Sequence, residues 1–233
     1  MELPSAEPLK IELDERQSVS GLWLRPASAR ACLVLAHGAG AGMTHTSLET
    51  LARDLGERGI ATLRYQFPFM EHGGKRPDPP PVAHAAVRAA VATACRLGSD
   101  LPLLAGGRSF GGRMTSQAQA ASPLPGVKGL VFFGFPLHPA GRPSSERGKH
   151  LLDVRLPMLF LQGTRDALAD LQHLGPLCSQ LGTRATLRLL EGADHSFHVL
   201  VRSGQTNAEV RREMLDALET WADQFLSASS APA

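Results

Sequence analysis

The sequence predicts an α/β fold with a mainly parallel β-sheet, and two features of the chain support this. Apolar runs of strand length alternate with segments of helix length along most of the sequence, a pattern typical of β-α-β crossovers. The chain has 233 residues, of which 43% are hydrophobic, and this suits one large domain with a single core. We therefore expect one domain over residues 1–233, with a frayed tail at Ser227–Ala233.

Eight segments have the length and the aliphatic or β-branched character of strands. The first two have no helix between them, so we expect them to form an antiparallel edge of the sheet. The later ones are separated by helices and are expected to be parallel. The predicted strands are Lys10–Leu13, Val19–Leu24, Ala31–Ala36, Ala61–Tyr65, Leu101–Ala105, Val127–Phe133, Met158–Gln162 and Ala185–Leu189.

Five helices are predicted, at Ser47–Arg58, Pro81–Leu97, Gly112–Ala121, Ala167–Leu181 and Asn207–Phe225. The last has apolar residues at intervals of three and four, as in an amphipathic helix. Two segments rich in proline and glycine, Gln66–Pro80 and Gly134–Lys149, follow strand ends. Ligands bind at that edge of open α/β sheets, and loops of this length are usually either functional or disordered.

Composition and charge argue against several classes of function. The net charge is +2 with acids and bases interspersed, unlike the basic surface of a nucleic-acid-binding protein. We see no secretory signal and no apolar run near the ~18 residues of a membrane span. Cys32, Cys95 and Cys178 are odd in number and far apart, which favours buried thiols in a reducing compartment. A cytoplasmic protein without nucleic-acid or membrane partners is expected.

The motif Gly107-Arg108-Ser109-Phe110-Gly111 is the first indication of chemistry. It lies between a predicted buried strand and a predicted helix, where a G-x-S-x-G sequence forms a sharp turn that exposes the serine hydroxyl. Glycines are needed there because side chains would collide with the neighbouring strand and helix. A Gly-Ser turn without chemistry has the same local pattern, so the other catalytic groups have to be found elsewhere in the chain.

A serine hydroxyl needs a base that takes its proton in the transition state. His195 is the best candidate among nine histidines, because it lies in a turn-rich loop directly after the last predicted strand. A loop in that position reaches back over the edge of the sheet. His198 is the rival candidate, and two hydrogen-bonded loop histidines without a catalytic role are the structural alternative.

The base in turn needs an acid that orients its imidazole. Asp166 follows the predicted strand at Met158–Gln162 after a short loop, and its alternative role is the N-cap of the helix predicted from Ala167. Asp170 and Asp194 are weaker candidates. The order serine, aspartate, histidine along the chain matches that of α/β-hydrolases.

An oxyanion formed on the substrate needs two hydrogen-bond donors. One is expected to be the backbone N–H of Phe110, directly after the serine. The second is expected from Ala39, in the glycine-rich turn His37–Gly42 that follows the third predicted strand. A phosphate-binding loop is the alternative for this turn, but neither a G-x-G-x-x-G nor a G-K-[ST] pattern fits it.

Metal binding has little support in the sequence. The local spacings of Asp170 with His173 and of His195 with His198 suit a metal, but neither clustered cysteines nor an H-E-x-x-H motif accompanies them. We expect no metal and no cofactor.

Four stretches of the chain form a familiar set: His-Gly-Ala-Gly at 37–40, Gly-Gly-Arg-Ser-Phe-Gly-Gly at 106–112, the acid after Gln-Gly-Thr-Arg at 162–165, and Ala-Asp-His-Ser-Phe at 193–197. Together they resemble the α/β-hydrolase superfamily. More narrowly, Gly-Gly-Arg-Ser-x-Gly, Phe-Pro-Leu-His at 135–138 and Ala-Asp-His-Ser are similar to a subgroup of testis-expressed proteins and small dienelactone-hydrolase-like bacterial proteins. The resemblance runs from about Ala31 to Phe225. It implies an eight-stranded, mostly parallel sheet flanked by helices, with Ser109, Asp166 and His195 as the catalytic triad.

The chain departs from this subgroup's pattern in one respect and has one unusual residue. Dienelactone hydrolases proper use a cysteine nucleophile, whereas this chain has Ser109. The variable position of the motif is Arg108, a cation beside the nucleophile. It is expected either to bind an anionic group of the substrate or to pair with a structural acid, and we favour the structural role.

These observations predict a serine hydrolase that acts on a small ester or thioester through an acyl-enzyme. No segment is long enough for a separate cap domain, so a shallow site under the two irregular loops is expected. Apolar side chains of those loops form the predicted acyl pocket, unless they belong to the core: Phe67, Phe69, Met70, Phe135 and Leu137. The alternatives are a binding or scaffold protein with little turnover, since the subgroup includes a chromatin-complex subunit, and acyl transfer to another acceptor. The sequence leaves a protein partner and the oligomeric state open.

Overall fold

The computed structural model describes residues 3–226, so the predicted tail Ser227–Ala233 lies outside the described residues. Its centre is one eight-stranded sheet with the strand order β1-β2-β4-β3-β5-β6-β7-β8. Strand β2 is antiparallel to both of its neighbours, and the other neighbouring pairs are parallel. The strands are β1 Glu7–Glu12, β2 Ser18–Leu24, β3 Ala31–Ala36, β4 Ile60–Tyr65, β5 Leu103–Arg108, β6 Val127–Phe133, β7 Met158–Gly163 and β8 Ala185–Leu190.

Helices cover both faces of the sheet. On one face pack α1 and α6, and on the other pack α3, α4 and α5. A central strand thus contacts helices on both sides, which explains why β3, β4 and β7 are buried at every residue. The helices are α1 Thr46–Glu57, α2 Pro68–Glu71, α3 Pro80–Leu97, α4 Phe110–Ala121, α5 Leu171–Leu181 and α6 Asn207–Leu226, with short 3₁₀ helices at Glu146–Asp153, Gly182–Arg184 and Val201–Ser203.

The predicted α/β architecture, with its antiparallel edge and no inserted cap domain, is confirmed for the part of the chain that is described. The largest error is the start of α5, which was expected at Ala167. The helix begins at Leu171 because the Asp170 carboxylate accepts a hydrogen bond from the Gln172 N–H at 2.8 Å and caps it. Strand β5 also lies later than predicted, since it continues up to the residue before Ser109.

The two irregular segments contain short helices rather than continuous loops. Helix α2 lies within residues 66–80, and the 3₁₀ helix Glu146–Asp153 begins near the end of residues 134–149. Both segments follow parallel strands and lie at the carboxyl edge of the sheet. Across residues 3–226, no helix has the length and hydrophobicity needed to cross a membrane.

Gly106 gives a direct test of the packing between β5 and β6. A Cβ atom at this position would lie 1.8 Å from the Val131 carbonyl oxygen, a backbone atom that cannot move without separating the strands. We expect Gly106→Ala to lower the free energy of unfolding by at least about 3 kcal/mol, measured by urea denaturation. Gly175→Ala is the control, because nothing lies within 4 Å of its Cβ and alanine favours α5 by up to about 1 kcal/mol. Equal effects of the two substitutions would contradict this packing.

Candidate active site

Ser109 occupies a strained turn between β5 and α4. Its backbone has φ 48° and ψ −113°, a region that residues with a side chain rarely adopt. Two hydrogen bonds hold it there, from the Ser109 N–H to the Phe133 carbonyl at 3.2 Å and from the Arg113 N–H to the Ser109 carbonyl at 3.1 Å. The serine is partly exposed at the carboxyl edge of the sheet, where a substrate can reach it.

The turn is tight because α4 starts against the loop after β3. A Cβ atom on Gly111 would lie 2.5 Å from the His37 carbonyl oxygen and 2.7 Å from the Cβ of Ala36. Only glycine therefore allows the first turn of α4 to approach β3 this closely. This contact accounts for the second glycine of the G-x-S-x-G motif.

Asp166 and His195 form a direct pair. The Nδ1 atom of His195 lies 2.7 Å from the Oδ2 of Asp166. The carboxylate is fully buried, whereas the His195 side chain is 26% exposed. Since a carboxylate oxygen accepts, Nδ1 carries the proton and Nε2 has a free lone pair.

The Asp166 carboxylate has two further partners. Its Oδ1 accepts the Leu168 N–H at 2.8 Å, within the loop before α5. Its Oδ2 also accepts the Gln162 Nε2–H at 2.5 Å. Asp166 therefore orders its own loop instead of capping α5, and three donors surround the buried charge.

Sequence reasoning missed Gln162, the penultimate residue of β7. Its side chain is fully buried, and its Oε1 accepts the Phe135 N–H at 2.9 Å while its Nε2 binds Asp166. One amide thus connects the loop after β6 to the acid after β7. The available signal was a glutamine at the end of an otherwise apolar strand.

The rival candidates have structural contacts of their own. Asp170 caps α5, and its N–H donates to the Nε2 of the buried His138 at 2.7 Å. The Asp194 Oδ1 accepts the N–H groups of Ser196 and His198 at 2.8 and 2.9 Å, so it shapes the histidine loop from within. The His198 side chain is exposed and has no contact with Asp166 within residues 3–226.

Ser109 and His195 lie against two consecutive residues, Phe133 and Gly134. The Ser109 N–H binds Phe133, and a Cβ on Gly134 would lie 3.3 Å from the Nδ1 of His195, so the imidazole packs directly over this glycine. The side chain of Arg108 also reaches the His195 carbonyl. Among the residues described, the Ser109 hydroxyl has no hydrogen-bond partner.

The turn after β3 lies beside Ser109. A Cβ on Gly38 would be 3.9 Å from the Cβ of Ser109, and a β-bridge pairs Gly38 with Ala41 around Ala39. His37 fixes this turn from below, because its Nδ1 donates to the Gly38 carbonyl at 2.7 Å and its Nε2 accepts the Phe67 N–H at 2.9 Å. Burial lowers the pKa of His37, which keeps the ring neutral as this pattern requires.

Comparison with known proteins agrees with this topology. A family model described as an alpha/beta hydrolase domain matches residues 29–223. The chain belongs to the α/β-hydrolase family.

Solved structures of this fold superpose over nearly the whole chain. An alpha-beta serine hydrolase homologue from Coxiella burnetii has a TM-score of 0.73 at 20% identity, covering 94% of this chain and 100% of its own. The dienelactone hydrolase from Anabaena variabilis also has a TM-score of 0.73, at 19% identity and coverages of 95% and 98%. A serine hydrolase without a lid from Xanthomonas campestris has 0.71 at 21% identity, with coverages of 93% and 95%. These similarities concern the fold.

The predicted acyl-pocket residues fall into two groups in this α/β-hydrolase. Phe67, Phe135 and Leu137 are fully buried members of the core, so their side chains present no surface to a ligand. Phe69 is 7% exposed and Met70 is half-buried. The rings of Phe67 and Phe69 pack at 5.2 and 6.2 Å against Phe110, the residue after Ser109. Phe69 and Met70 therefore remain the candidates for substrate contact.

The favoured structural role required Arg108 to pair with an acid, but no salt bridge of Arg108 is found within residues 3–226. Its Nη1 donates to the Ser47 hydroxyl at 3.2 Å and its Nη2 to the His195 carbonyl at 3.4 Å. Its guanidinium carbon lies 5.8 Å from the centre of the Phe197 ring. Burial lowers its pKa, against the attraction of the nearby Asp194. Its contacts are thus structural, but they are made to a hydroxyl, a carbonyl and an aromatic ring.

Across residues 3–226 we find no group of three histidine, cysteine, aspartate or glutamate side chains able to hold a metal ion.

The two hydrogen bonds of the Gln162 side chain predict that its removal lowers the stability of the protein strongly. Gln162→Leu would leave the buried Phe135 N–H without an acceptor and remove one donor from the buried Asp166 carboxylate. We expect the free energy of unfolding to fall by about 3 kcal/mol in urea denaturation. The same change at Gln172, exposed on α5, should alter it by no more than about 0.5 kcal/mol. A Gln162→Leu protein as stable as Gln172→Leu would show that the two hydrogen bonds of Gln162 contribute little to the stability of the fold.

Proposed function

We propose that this protein is a serine hydrolase that cleaves a small carboxylic ester or thioester through an acyl-enzyme. The observation that carries the proposal is the 2.7 Å contact of the His195 Nδ1 with the buried Asp166 carboxylate, at the sheet edge where Ser109 is held in its strained turn. Membership of the α/β-hydrolase family supports it. So do structural relatives described as a serine hydrolase homologue and a dienelactone hydrolase.

In the first half-reaction the Ser109 Oγ attacks the carbonyl carbon of the substrate while the His195 Nε2 takes its proton. Asp166 stabilises the imidazolium that forms. His195 then gives this proton to the leaving alcohol or thiol, and the carbonyl–heteroatom bond breaks to leave an ester on Ser109. In the second half-reaction water attacks that ester, His195 accepts a proton from the water and returns it to Ser109, and the free acid leaves.

The missing hydrogen bond between Ser109 and His195 is compatible with this mechanism. Both residues contact the Phe133–Gly134 pair, so the fold brings them to the same part of the sheet edge although they are far apart in the sequence. In structures without substrate such catalytic hydrogen bonds are often long, and they tighten when the substrate binds.

For the oxyanion we propose the backbone N–H groups of Phe110 and Ala39. The Phe110 N–H opens α4, where the helix dipole favours a negative charge. Ala39 lies in the turn that His37 fixes beside Ser109. Each such donor contributes about 3 kcal/mol to the stabilisation of the transition state, so the rigidity of this turn matters for the rate.

The substrate in this proposal is small. The fold has no cap domain over the site in residues 3–226, and three of the five predicted pocket side chains are buried in the core. Phe69, whose ring packs against Phe110, and its neighbour Met70 in α2 are the proposed contacts for a short acyl group.

Covalent labelling tests the nucleophile. A fluorophosphonate probe should modify Ser109, detected by mass spectrometry, and Ser109→Ala should abolish labelling and lower the kcat/KM for p-nitrophenyl acetate by at least about 10⁴-fold. Ser122→Ala, at an exposed serine after α4, is the matched control and should behave like the natural protein. Folded protein that neither labels nor turns over p-nitrophenyl esters of any chain length would favour the scaffold alternative. Release of free acid separates hydrolysis from acyl transfer.

The two loop histidines give a second test. His195→Gln removes the base bound to Asp166 and should lower kcat by at least about 10⁴-fold with little change in KM. His198→Gln changes an exposed side chain three residues away and should lower kcat by less than about tenfold. Similar losses for both variants, with circular dichroism spectra unchanged, would rule out His195 as the specific base.

A further inference from the structure

A separate cavity of about 230 Å³ lies beneath the loop that carries His195, between the first turns of α1 and α6. Neither the members of the proposed triad nor the proposed oxyanion donors line it. Its apolar wall belongs to the core on the α1 and α6 face, whereas the aromatic residues around Phe110 belong to the core on the other face. It is therefore distinct from the substrate site considered above.

The polar part of this cavity is cationic. Arg108 and Arg211 line it, and no aspartate or glutamate does. The Nε of Arg211 lies 2.9 Å from the Oδ2 of Asp54, so its charge is already balanced. Arg108 is different, because within residues 3–226 no carboxylate lies within ion-pair distance of it.

The nearest acid to Arg108 is engaged elsewhere. Asp194 attracts the guanidinium at longer range, but its Oδ1 accepts two N–H groups of the histidine loop. Arg108 uses only two of its five N–H donors in the hydrogen bonds to Ser47 and His195. A half-buried guanidinium with spare donors and no counter-ion gains free energy from a bound anion.

The size and the wall of the cavity restrict that anion. Phe197 and Met214 supply aromatic and thioether surface, and the guanidinium carbon of Arg108 lies 5.8 Å from the centre of the Phe197 ring. A cavity of about 150 Å³ is known to hold benzene. A volume of about 230 Å³ thus accommodates a benzene-sized apolar group together with one carboxylate.

We propose that this cavity is a second binding site, in which Arg108 pairs with the carboxylate of a small monocarboxylic acid whose apolar body packs against Phe197 and Met214. The chemistry of the ligand is that of an acid released from an ester. If the proposed function holds, the site recognises a product-like molecule. The ligand would act next to the catalytic loop, since Arg108 also holds the His195 carbonyl.

Binding of benzoate, followed by isothermal titration calorimetry, tests the site without any need for activity. We expect a Kd on the order of 1 mM and at least about tenfold weaker binding of benzamide, which has the same shape without the charge. Thr50→Leu should abolish benzoate binding, because Thr50 is half-buried in the cavity wall and leucine fills the space. Thr220→Leu, the same change on the exposed side of α6, should leave it unchanged.

Arg108→Gln is the second variant, and it should weaken benzoate binding at least about tenfold by removing the charge. No heat of binding up to about 10 mM benzoate would overturn the proposal. So would equal affinity of benzoate and benzamide, or unchanged binding by folded Thr50→Leu protein, since the latter places the ligand elsewhere. Because none of these measurements uses turnover, a failure here is distinguishable from a failure of the hydrolase proposal.

Discussion

The buried carboxylate of Asp166 is the constraint on which the rest of the site depends. A charge without water contact is costly unless donors surround it, and here the donors come from His195, Gln162 and the Leu168 N–H. Through them, three segments at the carboxyl ends of β7 and β8 take fixed positions. Gln162 extends the connection to the loop after β6, and that loop packs beneath the imidazole at Gly134. The position of the proposed base is thus set by satisfying one buried anion.

Close backbone packing is the second determinant of the geometry of the site. Helix α4 begins against the loop after β3, and the serine of the turn is held in an unfavourable backbone conformation by hydrogen bonds to β6 and α4. The favourable packing of the surrounding sheet, which is buried on both faces over most of its width, offsets the energetic cost of this strained backbone. The scaffold is densely packed around the proposed nucleophile.

Much of the fold could be predicted from local sequence, because apolar runs and periodicity report directly on burial. The order of the candidate serine, aspartate and histidine along the chain was also readable. Contacts between residues that are distant in the sequence could not be predicted in this way. Asp170 rather than Asp166 caps α5, and nothing local distinguishes the two acids. Gln162 is a polar residue in an apolar strand whose partners lie 27 residues earlier and four residues later. Phe67, Phe135 and Leu137 are apolar residues in irregular segments, and only the tertiary packing decides whether they face a ligand or the core.

His37 adds a consequence for the behaviour of this protein in acid. Each of its ring nitrogens forms a hydrogen bond, Nδ1 as a donor and Nε2 as an acceptor. A second proton on the ring would turn the His37 Nε2 into a donor. It would then face the Phe67 N–H, and two donors cannot form a hydrogen bond. Since burial lowers its pKa in the folded state, the stabilisation from the neutral ring is complete above the unfolded pKa of about 6.5 and declines as the pH falls below it. Acidification therefore weakens the turn beside Ser109 through a residue outside the proposed triad.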